Sequence, residues 1–124
     1  MWNSIVLIDD DQIFNFLNKR IVDKLQVFEK VAVFNDAKQA FEAIKTWDFL
    51  PDYILLDIRM PLMDGFEFLD RFDALPEAVT KPTKIIIVTS SLLQEDHEKC
   101  SSYRNVIGFL PKPLSEERLR AFLN

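Results

Sequence analysis

Ile5-Val6-Leu7-Ile8-Asp9-Asp10-Asp11 places four apolar residues directly before three aspartates. A short unbroken apolar run that stops at a polar edge reads as a strand buried on both faces, the signature of a parallel sheet covered by helices. The pattern returns along the chain. Val31-Ala32-Val33-Phe34, Tyr53-Ile54-Leu55-Leu56, Lys84-Ile85-Ile86-Ile87-Val88 and Val106 to Leu110 are further apolar runs. The third ends at Asp57, the fourth at Thr89-Ser90-Ser91 and the fifth at Lys112-Pro113.

Between these runs the spacing changes to that of helices. From Gln12 to about Leu25, residues Ile13, Phe14, Phe16, Leu17, Ile21 and Leu25 fall on one predicted inward face, with Asn15, Asn18, Lys19 and Asp23 opposite. Asn35 or Asp36 can cap a second helix that carries Ala37, Ala40, Phe41 and Ile44. Phe66, Leu69, Phe72 and Leu75 mark a third, and Glu95 to Tyr103 a polar fourth. Ser115 caps a fifth helix, with Glu116 and Glu117 in its first turn and Leu119, Phe122 and Leu123 facing inward. Five strands alternating with five helices imply right-handed crossovers and a three-layer α/β domain with a parallel sheet. The connection from Pro76 to Pro82 is expected to be a surface insertion away from the acidic edge.

Composition narrows the function. The 124 residues suit one domain, 1–124, and 48% hydrophobic content is enough for a core. A net charge of −5 with scattered Lys and Arg leaves no basic stripe for nucleic acid, and nothing approaches the length of a membrane span. The start lacks a basic leader, and the single cysteine, Cys100, cannot form an internal disulfide; both point to a cytoplasmic protein.

In an open parallel sheet the ligand site lies beyond the carboxyl ends of the strands. Those ends carry Asp9 and Asp10, Asp57, Thr89 and Lys112, while the strand interiors are apolar. Clustered carboxylates repel one another unless a cation binds or a pKa rises, and all-oxygen ligation suits Mg²⁺. A carboxylate can attack a phosphoryl group, with lysine and a hydroxyl holding its oxygens. Asp11 reads as a helix cap or an outer-shell charge, and His97, among Glu95, Asp96 and Glu98, as a solvated side chain.

Ile5 to Asp10, the block Leu56-Asp57-Ile58-Arg59-Met60-Pro61-Leu62-Met63-Asp64-Gly65, the end Ile87-Val88-Thr89-Ser90 and Phe109-Leu110-Pro111-Lys112-Pro113 together resemble the receiver domain of two-component response regulators, over essentially the whole chain. The resemblance implies a doubly wound (βα)5 sheet of flavodoxin-like order 2-1-3-4-5. It implies that Asp57 is the phosphoacceptor. Asp9, Asp10 and the backbone carbonyl of Arg59 would then hold Mg²⁺ with Asp57, Asp10 being the more direct ligand of the first pair. Thr89 and Lys112 would bind phosphoryl oxygens, and Thr89 with Phe109 would switch conformation. Arg59 and Ser91 occupy variable positions that govern water access to the acyl phosphate, and a bulky Arg59 would shield it. The only histidine, His97, is not placed to supply the phosphoryl group, so a histidine kinase or phosphotransfer protein would be the donor. The signal would leave through the face of the fourth helix, fifth strand and fifth helix to a protein target, and the domain would be a signalling device rather than an enzyme.

Two rivals stand beside this reading. Asp9-Asp10-Asp11 also fits the aspartate-x-aspartate motif of haloacid-dehalogenase-like phosphatases, which need a further acidic pair after the lysine for which the chain has no room. A receiver fold used as a binding module without phosphorylation would be expected to lack part of the site.

Overall fold

The computed structural model describes residues 2–47, 50–90 and 94–123. Five parallel strands, β1 (Trp2–Ile8), β2 (Phe28–Phe34), β3 (Tyr53–Leu56), β4 (Lys84–Thr89) and β5 (Val106–Pro111), lie in the order β2-β1-β3-β4-β5. The order reverses at β1, so β1 and β3 flank the switch point where ligands bind in such sheets.

Six helices appear among the described residues: α1 (Gln12–Leu25), α2 (Ala37–Ile44), α3 (Gly65–Asp73), α4 (Glu77–Thr80), α5 (Gln94–Ser101) and α6 (Glu116–Phe122). The additional helix is α4, one turn inside the Pro76 to Pro82 connection. It leads into the start of β4, at the end of the sheet opposite Asp57, as the sequence reading places it. The connection is more than a loose insertion, because Thr80 and Thr83 are buried and Asn105 donates to both their carbonyls at 2.8 Å.

Alternation along the strands builds two cores. Val6, Ile8, Ile54, Leu56, Ile85 and Ile87 face α2, α3 and Cys100 of α5, around the Phe41, Phe68 and Phe72 rings. Ile5, Leu7, Tyr53, Leu55, Ile86 and Val88 face the other way, against Val22 and Leu25 of α1 and Leu119 of α6. Each fully buried side chain of this kind contributes about 1.5–3 kcal/mol of transfer free energy, so the sheet is the main source of stability.

Helix α1 has the expected bounds but a different face. Ile13 and Phe16 are 71% and 62% exposed, while Asn15 and Asn18 are buried. The cause is the end of the sheet. The Asn15 amide donates to the Asp9 carbonyl and to the Asn35 side chain, both at 2.7 Å, and this satisfies polar groups that β1 and β2 leave at their termini. Asp11 caps α1 by accepting from the Ile13 and Phe14 amides, and Asp36 rather than Asn35 caps α2. Ser115 caps α6 as expected.

Candidate functional site

Register brings the reactive residues to one edge. Ile8 pairs with Leu56 and Leu56 with Ile87, so the residues that follow, Asp9, Asp57 and the β4 terminus, emerge side by side. The Asp57 amide donates to the Ile8 carbonyl at 2.9 Å, which fixes the two aspartates relative to each other. The Lys112 amide donates to the Thr89 carbonyl at 3.2 Å and joins the fifth strand end to the fourth. After Asp57 the chain turns back sharply: the Gly65 amide donates to the Ile58 carbonyl at 2.8 Å, and Asp64 caps α3. A side chain at position 65 would put its Cβ 2.7 Å from the Asp57 carbonyl oxygen, so the close return requires glycine.

Carboxylate oxygens of Asp9, Asp10 and Asp57 lie within 4.8 Å of one another; Asp9 and Asp57 are buried and Asp10 is exposed. The Lys112 ammonium sits between the two buried acids, 2.7 Å from Asp9 and 3.3 Å from Asp57. Phe14 of α1 lies over that ammonium, 4.6 Å from nitrogen to ring centre. Asp9 is further oriented by accepting from the Asp11 amide at 2.9 Å.

Burial, then the charge of Asp9, pushes the Asp57 carboxyl up to about 6, against the opposing pull of Lys112. Burial alone would lower Lys112, but its hydrogen bond to Asp9 and the charge of Asp57 outweigh it, so the ammonium is held above its usual range. The site therefore holds excess negative charge only partly neutralised from within.

Thr89 is buried at the end of β4, at the same edge. Phe109 is half-buried on β5 against the α2–α3 side core, and Ser91 lies outside the described residues. The Arg59 guanidinium reaches across to an ion pair with Asp96 of α5, so it is engaged on that helix. His97 is not a solvated side chain. Its ring stacks on Phe109 with centroids 4.3 Å apart and planes at 5°, and its Nε2 is buried without a partner. Nothing in a polar helix sequence signals that stack. The Cys100 thiol, buried beside Asp96, is pushed up to about 11 and is a poor nucleophile, as its context implies.

A doubly wound parallel sheet whose strand ends gather three carboxylates, a lysine and a threonine is a phosphoryl-handling α/β domain in outline. The comparisons are specific. The model of the response regulator receiver domain matches residues 5–124. The chemotaxis protein CheY of Listeria monocytogenes is 32% identical over 118 residues, covering 94% of this chain and 91% of that protein. A probable C4-dicarboxylate response regulator, DctR, of Halalkalibacterium halodurans is 33% identical over 96% of this chain. A response regulator receiver protein from Dyadobacter fermentans superposes with a TM-score of 0.85 at 31% identity, covering 97% of this chain and 94% of that structure. The chain belongs to the response regulator receiver domain family, and it is a signalling domain of two-component systems. It spans about half or less of the length of curated relatives such as DctR, 49%, and a Vibrio cholerae response regulatory protein, 41%. Family membership sets aside the haloacid-dehalogenase-like alternative.

Proposed function

We propose that Asp57 accepts a phosphoryl group from a histidine kinase or a phosphotransfer protein, with Lys112 and Thr89 holding its oxygens. The observation that carries this reading is the Lys112 ammonium poised between the Asp9 and Asp57 carboxylates at 2.7 and 3.3 Å. An Asp57 oxygen attacks phosphorus, the bond to the donor imidazole nitrogen breaks, and Lys112 passes from the carboxylate to a phosphoryl oxygen. The Thr89 hydroxyl, at the end of the neighbouring strand, donates to another.

Asp9, Asp10 and Asp57, whose carboxylate oxygens lie within 4.8 Å of one another, offer an all-oxygen set suited to Mg²⁺, and the Arg59 backbone carbonyl would complete it. Their fit is supported by the raised Asp57 carboxyl, since a cation would offset both the burial and the Asp9 charge that raise it. Bound there, Mg²⁺ supplies positive charge that offsets the charge of the transferring group.

Receiver domains exchange signals with histidine kinases and downstream targets in general, and the output face assigned from the sequence corresponds to α5, β5 and α6 in the present numbering. Ile107 of β5 is exposed there and Phe109 lies alongside on the same strand. No helix among the described residues is long and apolar enough to cross a membrane, and the reading favours a cytoplasmic domain comprising residues 1–124.

Incubation with acetyl phosphate and Mg²⁺ followed by intact mass spectrometry tests the proposal. One labile phosphoryl group should appear in the wild type and none in Asp57→Asn. Absence of label in the wild type would favour a receiver fold used without phosphorylation.

A further inference from the structure

Arg59 follows Asp57 by two residues, and its guanidinium pairs with Asp96 in the first turn of α5. The partners are unequal, for the Arg59 side chain is 57% exposed and that of Asp96 only 8%. Arg59 can swing through water at little cost, whereas a buried carboxylate that loses its cation is strongly destabilised. The next residue, His97, is the one stacked on Phe109. With its Nε2 buried and unpartnered, no hydrogen bond from that nitrogen supports the stack, which relies on the position of α5. Helix α5 itself is strongly polar, with Asp96 and Cys100 as its buried residues, so apolar burial contributes little to holding it. Consecutive residues thus tie α5 to two places: Asp96 to the loop after Asp57, and His97 to β5.

We propose that Asp96 competes with the phosphoryl group on Asp57 for the Arg59 guanidinium, and that losing Arg59 releases α5 and opens the His97–Phe109 stack. The proposal rests on Asp57 being the phosphoacceptor. A phosphoryl group adds negative charge and acceptor oxygens two residues from Arg59, and guanidinium binds such oxygens in a fork more strongly than it binds a single carboxylate contact. Asp96 is then left without that cation, and the favourable response is to move it, with the first turn of α5, toward water. His97 goes with it and Phe109 loses the ring that covers it. Asp96 is therefore a positioning residue, acting on the site through Arg59.

Because His97 is the only histidine of the chain, its imidazole Cε1–H gives a single magnetic-resonance signal, shifted upfield by the Phe109 ring in the resting protein. Titration with beryllofluoride and Mg²⁺, a mimic of the phosphoryl group, should move that signal downfield as the site fills. In Asp96→Asn the signal should start part-way downfield, and the apparent affinity for beryllofluoride should rise about fivefold because no ion pair has to be broken. Asp96→Glu, which keeps the carboxylate, should return toward wild type. Parallel intact-mass measurement with acetyl phosphate separates two failures. No phosphoryl gain overturns the phosphoacceptor reading and this proposal with it. Phosphoryl gain with an immobile His97 signal, or an unchanged affinity in Asp96→Asn, overturns the competition alone. Should Asp96→Asn not fold, Arg59→Met decides: a released resting signal that beryllofluoride no longer moves supports the competition, and a full wild-type response refutes it.

Discussion

Replacing Asp57 with asparagine should stabilise the metal-free protein, and the size of the gain follows from its surroundings. The carboxyl is 6% exposed, and burial with the Asp9 charge raises it from 3.8 to about 6. A displacement of about two pH units corresponds to ~3 kcal/mol of unfavourable ionisation at neutral pH. That figure is net of Lys112, which already pulls the carboxyl down. For 124 residues the unfolding entropy near 60 °C is about 0.26 kcal/mol/K, so Asp57→Asn should melt about 10 °C above the wild type at pH 7.5 in chelator. The pH dependence has a definite sign. Below about pH 4 both folded and unfolded chains hold the Asp57 proton, and the two proteins should melt alike. Between about pH 4 and 6 the unfolded chain releases its proton first, so wild-type stability falls as pH rises while that of Asp57→Asn does not follow. Saturating Mg²⁺ should narrow the gap by binding the folded wild type. Scanning calorimetry across this range measures the difference. Equal melting at pH 7.5, or a gap as wide at pH 3.5, would refute the electrostatic reasoning.

Other perturbations probe the supporting parts. Lys112→Met leaves Asp9 and Asp57 without their shared cation and should cost about 3 kcal/mol at pH 7, with the Asp57 carboxyl titrating above about 6 by carbon-13 resonance. Gly65→Ala drives a methyl group into the Asp57 carbonyl and the Ile58 Cα, both 2.7 Å away, and should cost about 2 kcal/mol in urea unfolding. Asn15→Leu should lose about 2 kcal/mol by orphaning the Asp9 carbonyl, whereas Ile13→Ser, on the exposed side, should stay within about 0.5 kcal/mol. The reverse ranking would mean that α1 buries its apolar stripe. Asp10→Asn should weaken Mg²⁺ binding yet barely change the metal-free melting temperature, because Asp10 is exposed and contributes least to raising Asp57.

Much of the architecture is legible because the strands announce themselves twice, by apolar runs and by the polar residues that end them. Tyr53 to Leu56 followed by Asp57 is readable at both levels, and the sheet register then carries Asp9, Asp57 and Lys112 to one edge. Caps at Asp11 and Ser115 are equally plain. The face of α1 is not, because Ile13, Phe14, Phe16 and Leu17 crowd two sides of the helix and hydrophobicity favours the wrong one. Asn15 is drawn inward by the Asp9 carbonyl just past β1 and by the Phe34 carbonyl at the end of β2, and helical spacing does not record either contact. The same holds for His97 and Arg59. Their partners, Phe109 and Asp96, are 12 and 37 residues away, and an exposed-looking polar helix conceals both contacts. The short α4 hides between two prolines that read as a connection.

Reductive trapping of the acyl phosphate tests the central claim most directly. Protein treated with acetyl phosphate and Mg²⁺, then borohydride, should yield homoserine in place of aspartate at position 57 alone when its peptides are sequenced by mass spectrometry. Conversion at Asp9 or Asp10 instead, or a phosphoryl group that resists borohydride and resides on another side chain, would contradict the assignment of Asp57 as the acceptor.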